Sequence, residues 1–286
     1  MKILVTGVKG QLGHDVVKVL NERGVENKGV DIEDFDITDK QAVFDYILSY
    51  KPDAVIHCSA YTAVDKAEEN AFLAKKVNAD GPKNIAEACR ELDIKMVYIS
   101  TDYVFPGTGT KAFETDDEKG PLDVYGKTKL LGEEAVKQTL KKYFIVRISW
   151  VFGINGNNFV KTMRKLSKTH DVLTVVCDQV GSPTYTADLA PLLCDMVMTE
   201  KYGTYHATNE GYCSWDEFAR TIFEYSGINV KVNSCTTEEY GAKAARPKNS
   251  RLSKKSLDDA GFKRLPMWQD ALKRYIKELD ETEKLD

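Results

Sequence analysis

The sequence predicts an α/β protein built on a doubly wound parallel sheet, and three observations lead to this fold class. Short apolar runs rich in Val and Ile alternate with longer segments in which apolar residues recur every three or four positions. The runs are continuous, as in strands that are covered on both faces. The first run leads directly into a glycine-rich turn, TGVKGQLG at 6–13. We therefore expect a Rossmann-type sheet, together with a smaller mixed α/β substrate-binding domain.

The elements of the predicted sheet follow one another in strict alternation. The strands are expected at 3–6, 27–31, 54–58, 96–100 and 144–149. The amphipathic helices between them are expected at 12–22, 40–49, 72–92 and 125–141. Strand–helix–strand units of this kind form parallel sheets with right-handed crossovers. Residues 1–152 are therefore predicted to form a dinucleotide-binding domain.

The pattern becomes irregular after Trp150. A cluster of Gly and Asn at 153–158 is followed by further helical patterns and two apolar runs. The helices are expected at 159–168, 187–198, 215–226 and 268–279, and the runs lie at 173–177 and 204–207. We expect 153–286 to form the substrate-binding domain, and we leave open that elements at about 170–200 return to the first domain.

Composition narrows the classes of function. The 286 residues are 42% hydrophobic, which is enough for a sizeable core, and the net charge of -4 offers no broad cationic surface to a nucleic acid. The apolar run after Met1 is too short for a secretory signal, and no segment reaches the roughly 20 apolar residues of a membrane span. We therefore expect a cytoplasmic protein that binds neither nucleic acid nor membrane.

The glycine-rich turn is the first candidate site. Gly7, Gly10 and Gly13 would let the backbone approach a pyrophosphate, whose charge then faces the positive end of the following helix. Gln11 and Leu12 belong to the same turn and are expected to contact the cofactor. Because this turn stands between a predicted strand and a predicted helix, it indicates a dinucleotide site rather than a chance glycine trio.

The choice of dinucleotide depends on residues near the second strand. Asp31 ends that strand 18 residues after Gly13, where a carboxylate can bind both ribose hydroxyls and repel a 2'-phosphate. This favours NADH. Lys9 could instead pair with a 2'-phosphate, so NADPH stays open. Asp36 and Ile37 could hold the adenine edge, although a helix N-cap explains Asp36 equally well.

Tyr125 and Lys129 form a candidate acid–base pair. They are four residues apart on a predicted helix and therefore share a face. A free phenol titrates near 10, and a fixed cation stabilises phenolate, so the Lys129 ammonium should lower the pKa of Tyr125. Tyr125 would then act as a proton donor at neutral pH.

Two strand ends bring further polar groups to the same place. Thr101 lies at the carboxyl end of the predicted fourth strand, within STDYVF at 100–105, and Ser59, Ala60 and Tyr61 follow the third strand. Open α/β sheets bind their ligands at the carboxyl ends of their strands. A hydroxyl, a phenol and an ammonium are thus expected to converge on a carbonyl oxygen beside a nicotinamide.

This combination resembles the extended short-chain dehydrogenase/reductase family. Within it, seven segments are similar in order and spacing to the dTDP-4-dehydrorhamnose reductases, and together they cover nearly the whole chain. These segments are NADGP at 78–82, STDYVF at 100–105, VYGKTK at 124–129, SWVFG at 149–153, GNNFVKTM at 156–163, DQVGSPT at 178–184 and RPKNS at 246–250.

The resemblance implies reduction of the 4-keto group of a nucleotide sugar, dTDP-4-dehydro-L-rhamnose. Hydride would pass from NADH or NADPH while Tyr125 protonates the developing alkoxide, Lys129 holds the nicotinamide ribose, and Thr101 donates a hydrogen bond to the keto oxygen. The resemblance also implies a set of substrate contacts: Asp102, Tyr103, Trp150, Asn158, Gln179 and Arg246. The Arg246 fork suits a diphosphate, but a surface salt bridge explains it too, and Trp150 could be core.

Several alternatives accompany this interpretation. Tyr103 follows Asp102 where sugar-nucleotide dehydratases carry a second carboxylate, which disfavours dehydration. A related sugar-nucleotide epimerase, or a non-catalytic regulatory subunit of the methionine adenosyltransferase type, stays open. Some relatives are dimers bridged by magnesium, which makes a homodimer an option. Asp15, Asp188 and Glu278 are the weak candidate ligands, since Mg²⁺ prefers oxygen ligands.

Overall fold

The computed structural model of the protein describes residues 1–283. Its strands are β1 (Lys2–Thr6), β2 (Glu26–Val30), β3 (Ala54–His57), β4 (Lys95–Thr101), β5 (Tyr143–Ile148), β6 (Val151–Phe152), β7 (Val172–Val176), β8 (Val180–Gly181), β9 (Thr184–Tyr185), β10 (Gly203–His206), β11 (Cys213–Ser214), β12 (Lys231–Cys235) and β13 (Asn249–Ser250). Its α-helices are α1 (Gln11–Glu22), α2 (Lys40–Tyr50), α3 (Val64–Glu69), α4 (Ala71–Lys75), α5 (Gly81–Glu91), α6 (Val124–Thr139), α7 (Phe159–Leu166), α8 (Thr186–Val197), α9 (Trp215–Ser226), α10 (Thr237–Tyr240), α11 (Lys255–Asp259) and α12 (Trp268–Glu283).

The main sheet has six parallel strands in the order β10-β5-β4-β3-β1-β2. The order reverses at β1, where the chain first builds outward to β2 and then returns to add β3, β4 and β5 on the other side. This is the doubly wound topology, and it confirms the predicted Rossmann-type fold. The carboxyl ends of the strands meet at one edge, where β1 ends in the glycine-rich turn and β4 ends at Thr101.

Two apolar layers cover the faces of this sheet. Buried side chains of α1 and α8 pack on one face, and those of α2, α5 and α6 pack on the other. The central strands β1 and β3 are apolar and buried along most of their length, as the sequence indicated. The unbroken apolar run expected at 27–31 is wrong, because β2 is an edge strand of sequence ENKGV in which only Val30 is buried. No helix within residues 1–283 has the length and apolar character that a membrane span needs. The cytoplasmic location stays a prediction.

A third apolar cluster lies beside the sheet and holds the second half of the chain together. It is built around the buried rings of Phe152, Phe218, Trp268 and Tyr275. The elements that rejoin the main sheet are α8 and β10, that is, residues 186–197 and 203–206. By contrast, β7 pairs with β12 in a separate small sheet. The domain limits at 152 and 153 stay predictions, and residues 284–286 of the second domain lie outside the described residues.

The helix predicted at 72–92 is wrong as one continuous element. It is divided into α4, a π-helical turn over Lys76–Asp80, and α5. The turn carries Asn78, whose side chain is fully buried and binds the backbone of Tyr61 through both its oxygen and its nitrogen, at 2.8 and 3.0 Å. The same nitrogen donates to the Thr128 hydroxyl at 3.1 Å. The interruption thus ties the loop after β3 to α6.

Candidate active site

A cleft of about 810 Å³ opens at the carboxyl edge of the main sheet. Its walls are the strand ends, the turn before α1 and the first turns of α6. Most of the residues that the sequence singled out line it. They are Gly7, Lys9, Gly10, Gln11, Leu12, Gly13, Asp31, Asp36, Ile37, Ser59, Ala60, Thr101, Asp102, Tyr103, Tyr125, Lys129 and Trp150.

The glycine-rich turn is so tightly packed that side chains would not fit in it. Gly7 has a φ of +72°, and a Cβ there would lie 2.7 Å from the backbone nitrogen of Ser59. A Cβ on Gly13 would lie 2.3 Å from the carbonyl oxygen of Gly7. Gly10 caps α1 without a side chain, so the first N–H groups of the helix have no side-chain cap. Such a helix start suits the phosphates of a dinucleotide.

Asp31 is held in place by the backbone around it. Its Oδ2 accepts a hydrogen bond from the N–H of Lys9 at 2.9 Å, and its Oδ1 accepts one from the N–H of Ile32 at 2.9 Å. The Lys9 ammonium forms an exposed ion pair with Glu33. The cation of this loop that could meet a 2'-phosphate is therefore already engaged with a carboxylate.

The three predicted catalytic side chains are brought together. The phenol of Tyr125 hydrogen-bonds with the hydroxyl of Thr101, and that hydroxyl donates to Oδ1 of Asp102 at 2.9 Å. The Lys129 ammonium donates to the carbonyl oxygen of Ile99 at 2.7 Å. Donors from β4 and α6 thus line the same part of the cleft, next to the carboxyl end of the sheet.

The pKa of the Tyr125 phenol is set mainly by burial and not by Lys129. Loss of water raises the pKa of Tyr125 above its usual value, against the opposing effect of the Thr101 hydrogen bond. Burial also lowers the pKa of Lys129 to about 7, while the nearby Glu133 carboxylate acts in the opposite direction. The expected lowering of the tyrosine pKa is therefore wrong for this structure. Tyr125 is a neutral phenol at pH 7 and therefore carries its proton.

Asp102 and Tyr103 continue the wall of the cleft beyond Thr101. The carboxyl group of Asp102 is buried, which raises its pKa to about 6 in spite of hydrogen bonds from Ser250 and Thr101. The ring of Tyr103 meets that of Tyr125 edge to face, with centroids 5.5 Å apart. A carboxyl group that titrates near 6 can accept or donate a hydrogen bond to a sugar hydroxyl.

Two of the predicted substrate residues, Asn158 and Gln179, form hydrogen bonds within the protein, and their contact with substrate stays a prediction. Asn158 caps α7, and its amide nitrogen donates to the side-chain oxygen of Gln11 at 3.0 Å and to the hydroxyl of Tyr275 at 2.8 Å. Gln179 donates to the hydroxyl of Thr237 at 3.1 Å. Neither side chain lines the cleft. Asn158 therefore fixes the second half of the chain against the turn that precedes α1.

Arg246 and Tyr61 also lie outside the cleft lining. The Arg246 guanidinium donates to Oδ2 of Asp65 in α3 at 2.6 Å and to the carbonyl oxygen of Ala244 at 3.3 Å. The hydrogen bond from Arg246 lowers the pKa of Asp65. The structure thus shows the salt bridge that the sequence left as the alternative for Arg246. The backbone N–H and carbonyl groups of Tyr61 form hydrogen bonds with the side chain of Asn78.

Sequence reasoning missed Trp215, which lines the cleft from the start of α9. Its ring stacks on that of Trp150 with centroids 3.8 Å apart and planes 15° from parallel. Trp150 has a φ of +50°, unusual for a bulky residue. No local pattern pairs two residues so far apart in sequence. The signal that could have suggested Trp215 is its position as an aromatic residue immediately after a helix N-cap, Ser214.

Two of the candidate magnesium ligands bind other side chains of the same chain. Asp188 accepts from the guanidinium of Arg274 at 2.8 Å, and Glu278 accepts from the hydroxyl of Tyr185. Asp15 is buried on α1, and burial raises its pKa. Within residues 1–283, no group of three or more His, Cys, Asp or Glu side chains could hold a metal ion. The expected magnesium ion would bridge two copies of the chain, so both it and the homodimer stay predictions.

Comparison with known proteins matches nearly the whole chain to one family profile. The profile of the RmlD substrate binding domain matches residues 1–281. The spore coat polysaccharide biosynthesis protein SpsK of Bacillus subtilis is 42% identical over 277 residues, which cover 97% of this chain and 97% of that protein.

Solved structures extend the similarity to the fold. A dTDP-4-dehydrorhamnose reductase from Clostridium acetobutylicum is 48% identical, with a TM-score of 0.96 over 98% of this chain and 100% of that one. A dTDP-4-dehydrorhamnose reductase from Bacillus anthracis, solved in complex with NADP, is 44% identical, with a TM-score of 0.95 over 97% of this chain and 100% of that one.

Proposed function

The chain belongs to the family of the RmlD substrate binding domain, and we propose that it reduces the 4-keto group of a nucleotide sugar with a reduced nicotinamide. The most suitable substrate is dTDP-4-dehydro-L-rhamnose, which would give dTDP-L-rhamnose. The observation that carries the proposal is the convergence of Thr101, Tyr125 and Lys129 in the cleft that the glycine-rich turn also lines. The names of the full-length relatives support the choice of substrate.

In the proposed reaction, Tyr125 donates its phenol proton to the oxygen on C4 as that oxygen gains negative charge. A bound reduced nicotinamide supplies the hydride to C4. Because Tyr125 is protonated at neutral pH, it is in the form that a reduction requires. The Thr101 hydroxyl donates to Asp102 in this structure; with substrate bound it would turn its single proton to the same oxygen as a second hydrogen bond. Preorganised donors of this kind stabilise a developing oxyanion by several kcal/mol, typically about 3.

Lys129 has a holding role in this scheme. Its ammonium would bind the hydroxyls of the nicotinamide ribose, and its contact with the carbonyl of Ile99 fixes it at the end of β4. Asp102, Tyr103 and Trp150 are proposed to line the sugar pocket. Arg246 can meet a diphosphate only if its guanidinium leaves Asp65. Asn158 and Gln179 are proposed to act by shaping the second half of the chain.

We propose that the cleft accepts NADPH as well as NADH. The preference for NADH rested on Asp31 alone, and the relative from Bacillus anthracis holds NADP. Two backbone N–H groups already bind the Asp31 carboxylate, which reduces its repulsion of a 2'-phosphate. Lys9 could bind that phosphate if it exchanged Glu33 for it.

The test is a coupled measurement of cofactor and sugar. Addition of dTDP-4-dehydro-L-rhamnose to the protein and NADPH or NADH should lower the nicotinamide absorbance and give dTDP-L-rhamnose in equal amount. Tyr125→Phe should lower kcat at least about 100-fold while cofactor affinity stays unchanged. An isomerised sugar without net oxidation of the cofactor would indicate an epimerase. Cofactor binding without turnover of any 4-keto sugar nucleotide would reject the reductase.

A further inference from the structure

A buried ion pair lies directly behind the candidate active site. Glu133 of α6 and Arg147 of β5 are both 0% exposed. The guanidinium binds the carboxylate with two parallel hydrogen bonds of 2.7 Å, from Nε to Oε1 and from Nη2 to Oε2. This is the bidentate geometry that gives such pairs their directional strength. The proposed reaction uses neither residue directly.

Hydrogen bonds and helix spacing connect the Glu133–Arg147 pair to the proposed catalytic residues Lys129 and Thr101. Glu133 follows Lys129 by four positions on α6 and therefore shares its face. Its Oε1 accepts a hydrogen bond of 2.6 Å from the hydroxyl of Ser100, the residue before Thr101. The residue before that, Ile99, accepts the hydrogen bond from Lys129. Consecutive residues at the end of β4 are thus bonded to consecutive turns of α6.

The negative charge of Glu133 also acts on two buried cations beside it. Lys129 and Arg147 are both buried cations, and the Glu133 carboxylate acts on both of them. Other groups around them add positive charge or are neutral, so they cannot replace this carboxylate. The groups that face Lys129 are His57, Cys58 and Tyr98. Those that face Glu133 or Arg147 are Lys119, Lys137 and His206.

His57 and Cys58, which lie near Lys129, are uncharged at neutral pH because both are buried. Burial lowers the pKa of His57 to about 3 and raises that of Cys58 to about 12. Neither can supply a negative charge at neutral pH. Burial of Lys129 itself favours its uncharged form, and the Glu133 carboxylate opposes that effect.

We propose that Glu133 is a positioning residue of this active site: its carboxylate keeps the Lys129 ammonium charged and holds α6 in register with the strand that ends in Thr101. The inference rests on the proposed function for the role of Lys129. A buried ion pair is by itself weak evidence for stability, since apolar residues of similar volume often stabilise as well or better. Apolar residues at these two positions could stabilise the fold, but they could not favour the charged form of Lys129 as the Glu133 carboxylate does.

The titration of the Lys129 ammonium, followed by NMR in lysine-labelled protein and assigned with Lys129→Met, tests the proposal without any substrate. In Glu133→Gln the midpoint should move to lower pH by about one unit, because the negative charge that favours the buried ammonium is lost. Glu133→Asp, which keeps the charge, should restore most of the shift. Glu134→Gln changes an exposed residue next to it and should leave the midpoint unchanged.

Glu133→Gln leaves Arg147 buried without its partner and could unfold the protein. The double variant Glu133→Gln with Arg147→Met removes both charges and should shift the midpoint of Lys129 in the same direction but by less, because the loss of the Arg147 cation favours the ammonium. The alkaline limb of kcat/KM should move with it. A midpoint that stays in place in the folded variants, with only a lower unfolding temperature, would overturn the proposal. Wild-type protein that fails to reduce the sugar would instead refute the proposed function, since the NMR titration does not depend on turnover.

Discussion

Replacement of Gly13 by alanine should weaken dinucleotide binding about 100-fold without unfolding the protein. The new Cβ would lie 2.3 Å from the carbonyl oxygen of Gly7 and 2.8 Å from its carbonyl carbon. Both contacts are with backbone atoms, so the turn itself has to move by about 1 Å, a misplacement that can cost two orders of magnitude at a functional site. The expected loss of binding free energy is therefore about 3 kcal/mol.

Calorimetric titration with NADPH measures this loss, and Gly24→Ala provides a matched control. Gly24 follows α1 with a φ of +65°, and a Cβ added there would have no heavy atom within 4 Å. Its replacement should cost about 1–2 kcal/mol of unfolding free energy through backbone strain and leave the cofactor affinity unchanged. Wild-type affinity in Gly13→Ala would refute the argument that close packing of the turn shapes the phosphate site.

The remaining predictions concern pH, stability and substrate affinity. The rate of reduction, measured as kcat/KM, should fall as pH rises through about 7, because the Lys129 ammonium is charged below its pKa and neutral above it; a rate that rises over this range would contradict its holding role. Trp268→Ala should lower the unfolding free energy by about 3–5 kcal/mol in chemical denaturation, since the ring is buried in the third apolar cluster. Asp65→Asn should lower KM for the nucleotide sugar about two- to five-fold by releasing Arg246, and an unchanged KM would exclude that residue from diphosphate binding.

The main sheet and the position of the site could be predicted because both follow from local patterns. Continuous apolar runs indicate strands that are buried on both faces of a sheet. In a parallel sheet the carboxyl ends of all strands lie at the same edge. Thr101, Tyr125 and the glycine-rich turn therefore meet although they are distant in sequence. Their convergence needed no knowledge of individual side-chain contacts.

The features that escaped prediction depend on partners far away in the chain. Asn158 carries polar groups that suit a nucleotide, but in the tertiary structure it binds Gln11. For Arg246 the sequence left both a diphosphate and a salt bridge open, and it could not name Asp65 as the partner. The lowered tyrosine pKa was expected from helical spacing alone, which says nothing about loss of water around Tyr125. The π-helical turn was missed because apolar periodicity cannot detect a single extra residue in a helix.

Transfer of deuterium tests the central claim most directly. Protein is mixed with dTDP-4-dehydro-L-rhamnose and a reduced nicotinamide that carries deuterium at its transferable position, and the sugar product is analysed by NMR. The account predicts one deuterium at C4 of the rhamnose for each cofactor oxidised, with the transfer strongly slowed in Tyr125→Phe. Oxidation of the cofactor without label at C4, or undiminished transfer in that variant, would contradict it.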